Sequence, residues 1–263
     1  MNTNLIYDVG LNHGEDTEFY LAKGFRVVAI EADPALAEAG SARFRKEIAE
    51  GRLTVLNVGV GPTRGRFDFY VNEHSDGFSS FVREVGTRDN SKFHVIQVDT
   101  VPFRDILQNY GVPYYLKTDI ERHDIYCLLG LDAKDLPRYV SVEAHELEYL
   151  CILSRLGYNA FKCVDQTAHN HGPLPFHNEN PLGWVSRFAI HNWRRVERRV
   201  LKRTPSRYGR HFPFGSSGPL DSPGEWRTLE DVAYDWLHLK TGHKHRGTLN
   251  PWAWFDFHAT ILD

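Results

Sequence analysis

Two sets of residues in this sequence have the types and spacing to do chemistry. The first is Asp8-x-Gly10-x-x-x-Gly14, with Asn12 between the glycines and Glu31 further along. The second is a scatter of acids and imidazoles: Asp119, Glu121, His123, Glu143 and His145. Glycines that follow an apolar run let the backbone approach a ligand closely. The Gly10, Asn12, Gly14 pattern does not match G-x-G-x-x-G, and the helix it opens begins with Glu15, Asp16 and Glu18. Those acids suit the helix dipole but would repel a phosphate, so a cofactor bearing positive charge fits better than a dinucleotide. A carboxylate such as Glu31, closing a second strand, can accept from two neighbouring hydroxyls at once. The second set has the types for general acid–base work, including removal of a proton. An imidazole that titrates at about 6.5 can take it near neutral pH, oriented by a nearby carboxylate. His145 is the favoured base, ahead of His123. The plain reading of each is also open, since Glu143 could simply anchor backbone amides and the chain has 14 histidines.

These residues need strands and turns to position them. Short β-branched or aromatic runs at Ile6 to Val9, Arg26 to Ile30, Leu53 to Val60, Tyr114 to Ile120 and Tyr139 to Glu143 predict strands. Helical periodicity predicts Gly14 to Lys23, Pro34 to Ala49, Val101 to Tyr110 and Glu146 to Leu156. Asp33 reads as an N-cap with Pro34 at the first helical position, and Gly51 and Gly157 read as stops. Alternating strands and helices imply right-handed crossovers and a mostly parallel sheet, which binds ligands at the carboxyl ends of its strands. Phe67 to Val71 and His94 to Val98 interrupt the alternation as two extra strands or a hairpin. Tyr158 to Val164 and Trp254 to Leu262 read as strands, the last returning to the core sheet. Between them the composition shifts to His, Pro, Gly and Arg, with helices expected only at Phe188 to Lys202 and Leu229 to Leu239. The expected division is therefore a core over 1–167, an acceptor-binding lid or insertion over 168–251, and a final strand over 252–263.

The Asp8, Gly10, Gly14 form resembles motif I of the S-adenosylmethionine methyltransferases. Further along, "YLKTDIERHD" at Tyr115 to Asp124 resembles the fourth-strand motif K-[IV]-D-[IV]-E-G of the FkbM family within that class. "VLNVGVG" at Val55 to Gly61, "SSF" at Ser79 to Phe81, "VDTVPFRDIL" and "SVEAHE" at Ser141 to Glu146 are similar to the family in order and spacing. The resemblance covers roughly residues 5 to 165. It implies an α/β fold of the Rossmann-like class I methyltransferase type, a mostly parallel seven-stranded sheet with an extra hairpin and a C-terminal lid. It also implies S-adenosylmethionine as cofactor and O-methylation of a hydroxyl on a sugar, glycan or natural product. By position, Asp8, Gly10, Asn12 and Gly14 would belong to the cofactor loop, Glu31 to the ribose, and Asn57 with Ser79 to the adenine side. Asp119 and Glu121 would lie near the transferred methyl; the base for that hydroxyl would come from the candidates above, His145 first among them. One residue departs from the pattern: the motif's glycine is Arg122 here.

Composition narrows the partners. At 263 residues and 41% hydrophobic content the chain can bury a full core, and no apolar run approaches the roughly 18 residues of a membrane span. Nothing near Met1 reads as a signal sequence, so the expectation is a soluble, cytoplasmic protein. Three dispersed cysteines, Cys127, Cys151 and Cys163, read as reduced core residues. No zinc spacing occurs in the His-rich stretches, and no metal is assigned; Mg²⁺ held by Asp119, Glu121 and Glu143 is the less favoured alternative. The run Arg194 to Arg210 carries eight basic residues against one acid, while the whole chain has a net charge of −3. That run reads as a solvated helix face, or as a lid attracting an anionic small-molecule or glycan acceptor. The strand-four sequence lacks the N/D-P-P-Y pattern of amino-methylating enzymes, which with the overall charge argues against nucleic acid. Two other readings stand beside the transferase: a nicotinamide-dependent oxidoreductase on a related sheet, and a non-catalytic protein of this fold that binds an anionic partner.

Overall fold

The computed structural model describes residues 1–165, 225–246 and 255–262. In chain order the elements are β1 (Asn2–Val9), α1 (Glu15–Ala22), β2 (Arg26–Glu31), α2 (Pro34–Arg43), α3 (Arg45–Ala49), β3 (Leu53–Asn57), β4 (Gly59–Val60), β5 (Gly65–Asn72), α4 (Arg83–Gly86) and β6 (Phe93–Val101). They continue with α5 (Phe103–Tyr110), β7 (Pro113–Thr118), α6 (Asp124–Leu129), β8 (Tyr139–Glu143), α7 (Glu148–Leu156), β9 (Ala160–Asp165), α8 (Leu229–Arg246) and β10 (Phe255–Thr260).

Seven strands form the main sheet in the order β3-β2-β1-β7-β8-β10-β9. The pairs from β3 to β8 are parallel, and β10 runs antiparallel to both neighbours. The strand order reverses between β1 and β7, the switch point at which open α/β sheets place their ligands. Alternate residues of each strand serve the two faces, and both faces are covered. Tyr7, Val9, Val28, Leu116, Val140 and Phe257 pack on one side with residues of α5, α6, α7 and α8, while Ile6, Val27, Ala29 and Tyr115 pack on the other with Phe19, Tyr20 and Phe44. The indole of Trp236 on α8 donates to Ala144 O at 2.9 Å, seating that helix on the end of β8.

The interrupting segment forms a sheet of its own, ordered β4-β6-β5, with β5 and β6 antiparallel over eight paired residues. The single run expected over Leu53 to Val60 is therefore split: β3 ends at Asn57 in the main sheet and β4 begins at Gly59 in the small one. The first residue of β4 must be a glycine, because a Cβ on Gly59 would come 2.3 Å from the ring of Phe81. The helix expected over Pro34 to Ala49 is likewise divided, at Phe44, whose ring packs against Gly14. Asp33 caps α2 as read, its carboxylate accepting Ala35 N–H at 2.8 Å beside Pro34. β7 stops at Thr118, so Asp119 and Glu121 stand in the turn beyond the strand. The short helix α6 follows that turn and was not expected. Of the cysteines, Cys127 is buried but Cys151 is exposed, and no disulfide forms among them. The expected helix over 188–202, the basic run 194–210 and much of the expected lid lie outside the described residues. Among the described residues no helix is long and apolar enough to cross a membrane.

Candidate functional site

The turn after β1 is built by close backbone approach. The N–H groups of Gly10 and Leu11 both donate to Ile30 O, at 2.9 and 3.1 Å, tying the turn to β2. Gly10 has φ +95°, and a Cβ on it would fall 2.0 Å from Asp119 O, so the turns after β1 and β7 touch main chain to main chain. Gly14 has φ +82° and its missing Cβ leaves room for Phe44, while Asn12 itself adopts φ +47°. Glu31 is buried beside this turn and its two oxygens accept Asn12 N–H at 2.8 Å and Asp33 N–H at 2.9 Å. Burial raises its pKa, and the two amides oppose that rise. The structure thus brings Gly10, Asn12, Gly14 and Glu31 together. Asn57, paired with Glu31 across the β2–β3 register, donates to Glu31 O at 2.9 Å. Ser79 belongs to the small sheet's flank instead, where its Oγ accepts Asn72 N–H at 3.1 Å.

Asp8 lies beneath the turn, fully buried, within a network that the sequence did not announce. Its Oδ2 accepts from Thr17 Oγ1 at 2.6 Å and its Oδ1 from Lys117 Nζ at 3.2 Å. The same ammonium lies 3.1 Å from Asp16, 3.7 Å from Asp119 and 3.4 Å from Gly10 O. Burial alone would lower Lys117, but the three carboxylates outweigh it and hold the amine well above its ordinary value. Asp16, desolvated and facing Asp8, is pushed up to about 7 despite Lys117. One lysine therefore joins β1, the first turn of α1, the Gly10 carbonyl and the turn after β7.

That second turn carries the other candidate residues. Asp119 N–H donates to Val9 O at 2.9 Å, and its carboxylate is half exposed. Glu121 and Arg122 are consecutive left-handed residues, at φ +53° and +76°. The buried carboxylate of Asp124 stabilises them by accepting Ile120 N–H at 3.2 Å and Arg122 N–H at 3.0 Å. The left-handed backbone sends Glu121 inward to an ion pair with Arg88, which comes from the flank of the small sheet. Arg88 is held there by Val85 O at 3.1 Å and by the ring of Phe78, 3.9 Å below its guanidinium. Ser80 Oγ completes the clamp by donating to Glu121 O at 2.9 Å.

Glu143 ends β8, and His145 Nε2 lies 2.8 Å from its Oε2. One ligand atom each from Glu121, Glu143 and His145 falls within 4.8 Å of the others. Of the candidate catalytic residues, the structure gathers Glu121 and His145 around Glu143, while Asp119 faces Lys117. His123 is committed elsewhere: its Nδ1 lies 3.0 Å from Val60 O and its ring stacks on Phe81. Crowding of acids shapes the electrostatics. Burial, and then the charge of Glu143, pushes Glu121 up to about 8 against the pull of Arg88. Glu143 and its cross-strand neighbour Asp256 are raised well above the carboxylate range, by burial first and by the other acids second. Burial lowers His145, as does Arg122, while Asp124 and Glu121 oppose. A neutral imidazole beside a carboxyl group, at the carboxyl end of β8, can accept a proton from a bound hydroxyl. The two carboxylates and the imidazole also have the ligand chemistry to hold a divalent cation.

Comparison with known proteins adds the following. The family described as the methyltransferase FkbM domain matches residues 8–172. A stretch of 52 residues is 42% identical to a probable ribosomal RNA small subunit methyltransferase A of Methanospirillum hungatei. It covers 20% of each protein, so the chain spans about a fifth of the length of that curated relative. Among solved structures, a precorrin-6y C5,15-methyltransferase from Geobacter metallireducens is similar with a TM-score of 0.35 at 12% identity, over 63% of this chain and 69% of that one. The StiE O-MT is similar with a TM-score of 0.38 at 10% identity, over 98% of this chain and 68% of that one. Likenesses that distant bear on neither substrate nor mechanism.

Proposed function

This chain belongs to the FkbM methyltransferase family, and from that membership and its strand-tip geometry we propose that it transfers a methyl group from S-adenosylmethionine to a hydroxyl oxygen of a sugar, glycan or natural product. The observation that carries the oxygen assignment is the Glu143–His145 pair at the carboxyl end of β8, two strands from the Gly10–Gly14 turn. Methyl transfer to a neutral hydroxyl needs in-line approach and the loss of one proton. On this reading the turn of Gly10, Asn12 and Gly14 cradles the methionine portion, Glu31 accepts from the ribose hydroxyls, and Asn57 and Ser79 border the adenine. The cofactor supplies an electrophilic methyl group. His145, kept neutral by burial and oriented by Glu143, takes the hydroxyl proton. Glu121, fixed by Arg88 and Ser80, and Asp119, beside the cofactor turn, line the place where the oxygen and the methyl meet. The segment over 168–251 supplies the acceptor lid, and the protein works in the cytoplasm without a membrane partner.

Titration calorimetry with S-adenosylhomocysteine, and in parallel NADH, tests this reading. The homocysteine product should bind and NADH should not. Glu31→Ala should weaken the product roughly tenfold or more, because it removes both the ribose acceptor and the anchor of Asn12 and Asp33. No binding of the product, or preference for NADH, would sink the assignment. A second reading is supported by the same 4.8 Å grouping of Glu121, Glu143 and His145: a divalent cation held there would acidify the hydroxyl in place of the imidazole base. Loss of turnover on chelation, restored by Mg²⁺, would favour the cation.

A further inference from the structure

We infer that Arg122 forms an anion subsite, and that the acceptor carries a carboxylate or phosphate which this guanidinium anchors while its hydroxyl is presented to His145. The inference rests on the transferase reading above and names its substrate class. Three observations carry it. Arg122 sits at φ +76°, directly after Glu121 at φ +53°, in a backbone region where any side chain bearing a Cβ is strained. The strain at Glu121 is explained by the ion pair it makes with Arg88, whereas the side chain of Arg122 makes no comparable contact and only its N–H is held, by Asp124 at 3.0 Å. Among the described residues none of the five guanidinium donors of Arg122 is hydrogen-bonded; its charge partner is Glu146, 3.8 Å away, and both side chains are about half exposed (50% and 44%). A pair of that kind is worth little in water.

Arg88, reaching the same turn from the flank of the small sheet, shows what an arginine with an internal duty looks like. It lies 3.9 Å over Phe78, donates to Val85 O and is paired with Glu121. Arg122 instead leaves a planar fork of donors open next to Glu146, the residue that follows His145. Such a fork matches the two oxygens of a carboxylate or phosphate, which a lysine's point charge does less well.

The test uses the full-length protein loaded with S-adenosylhomocysteine and titrated with inorganic phosphate at constant ionic strength, comparing wild type, Arg122→Gly and Arg122→Lys by calorimetry. Wild type should show saturable binding, Arg122→Gly should weaken it roughly tenfold or more, and Arg122→Lys should fall between. A parallel titration with glycolate distinguishes a carboxylate from a phosphate as the anchored group, by which anion loses more in Arg122→Gly. Misfolding does not confuse the result, because glycine is the residue best suited to that backbone and the variant should melt no lower than wild type. Equal anion affinity in wild type and Arg122→Gly would place the anion elsewhere, for instance on the run Arg194 to Arg210, and overturn the inference. So would the absence of binding in wild type. The homocysteine titration is read separately: if it fails, the transferase reading falls, and the anion titration is then made on the cofactor-free protein.

Discussion

The two turns that meet at the switch point handle charge in opposite ways. On the β1 side, Asp8, Asp16 and Asp119 surround one buried ammonium, Lys117, and Thr17 and the Gly10 carbonyl complete the set. On the β8 side, Glu121, Glu143 and Asp256 crowd together with Arg88 as the cation that pairs with Glu121, and burial raises all three carboxyls. The first arrangement centres three carboxylates on one buried ammonium, and burial raises Asp8 and Asp16 there. The second leaves charge and protons available to whatever enters. The β1 side is then a fixed part of the fold and the β8 side is open to adjustment.

The sharpest way to break that contrast is Lys117→Met. It strands three carboxylates around an apolar side chain, two of them fully buried, and should cost about 3–5 kcal/mol of stability, as for other buried pairs that lose one partner. Chemical denaturation measures it. Glu121→Gln on the other side should cost far less, since Glu121 already carries its proton over much of the neutral range. Equal losses would mean that the two turns are one structural unit and that the contrast is false.

The difference between the turns also decides what could be read in the sequence. The glycine turn, the cap at Asp33 and Glu31 were legible because each is a local pattern set by a strand end and the few residues after it. Lys117 was present in the quoted motif, yet its meaning depends on Asp8 and Asp16, more than a hundred residues earlier, and no local pattern states that pairing. Arg88 was missed for the same reason: it reaches Glu121 only because the small sheet folds over the end of β7. The break between β3 and β4 was not legible, because Leu53, Val55, Leu56, Val58 and Val60 read as one strand, and that Gly59 lies against the ring of Phe81 is no local pattern. The unusual residue at Arg122 was visible; that it occupies left-handed backbone was not.

A smaller effect, read through pH, sharpens the contrast. Glu121 rises from 4.5 to about 8 in the folded protein, and Asp16 from 3.8 to about 7. Between the unfolded and folded values the native state holds protons that the unfolded chain has lost, so stability must fall as pH rises through that window. His145 works in the other direction, because a lowered imidazole costs stability as pH drops below its ordinary value. Urea midpoints should therefore decline from near pH 6.5 to about pH 8 and level off above it, and Glu121→Gln should flatten the upper part of that decline. If the slope is unchanged in Glu121→Gln, the carboxyl is ionised throughout by Arg88, and the β8 side is as tightly paired as the β1 side.

The smallest expected effect separates two neighbours that share one backbone conformation. Arg122→Gly relieves a left-handed residue, worth about 1–2 kcal/mol, and loosens the unfolded chain, which returns about 0.5–1 kcal/mol of that. The pair with Glu146 is half exposed and 3.8 Å long, so its loss changes little. The net should be a gain on the order of 0.5–1 kcal/mol, visible as a higher urea midpoint. Glu121→Gly relieves the same strain but removes the partner of Arg88, an ion pair whose carboxylate is 13% exposed, and should lower the midpoint instead. Opposite signs at adjacent residues would show that the strain at Glu121 serves the fold while the strain at Arg122 serves the ligand. A loss of stability at both would make Arg122 part of the scaffold and remove the main reason for assigning it to the acceptor.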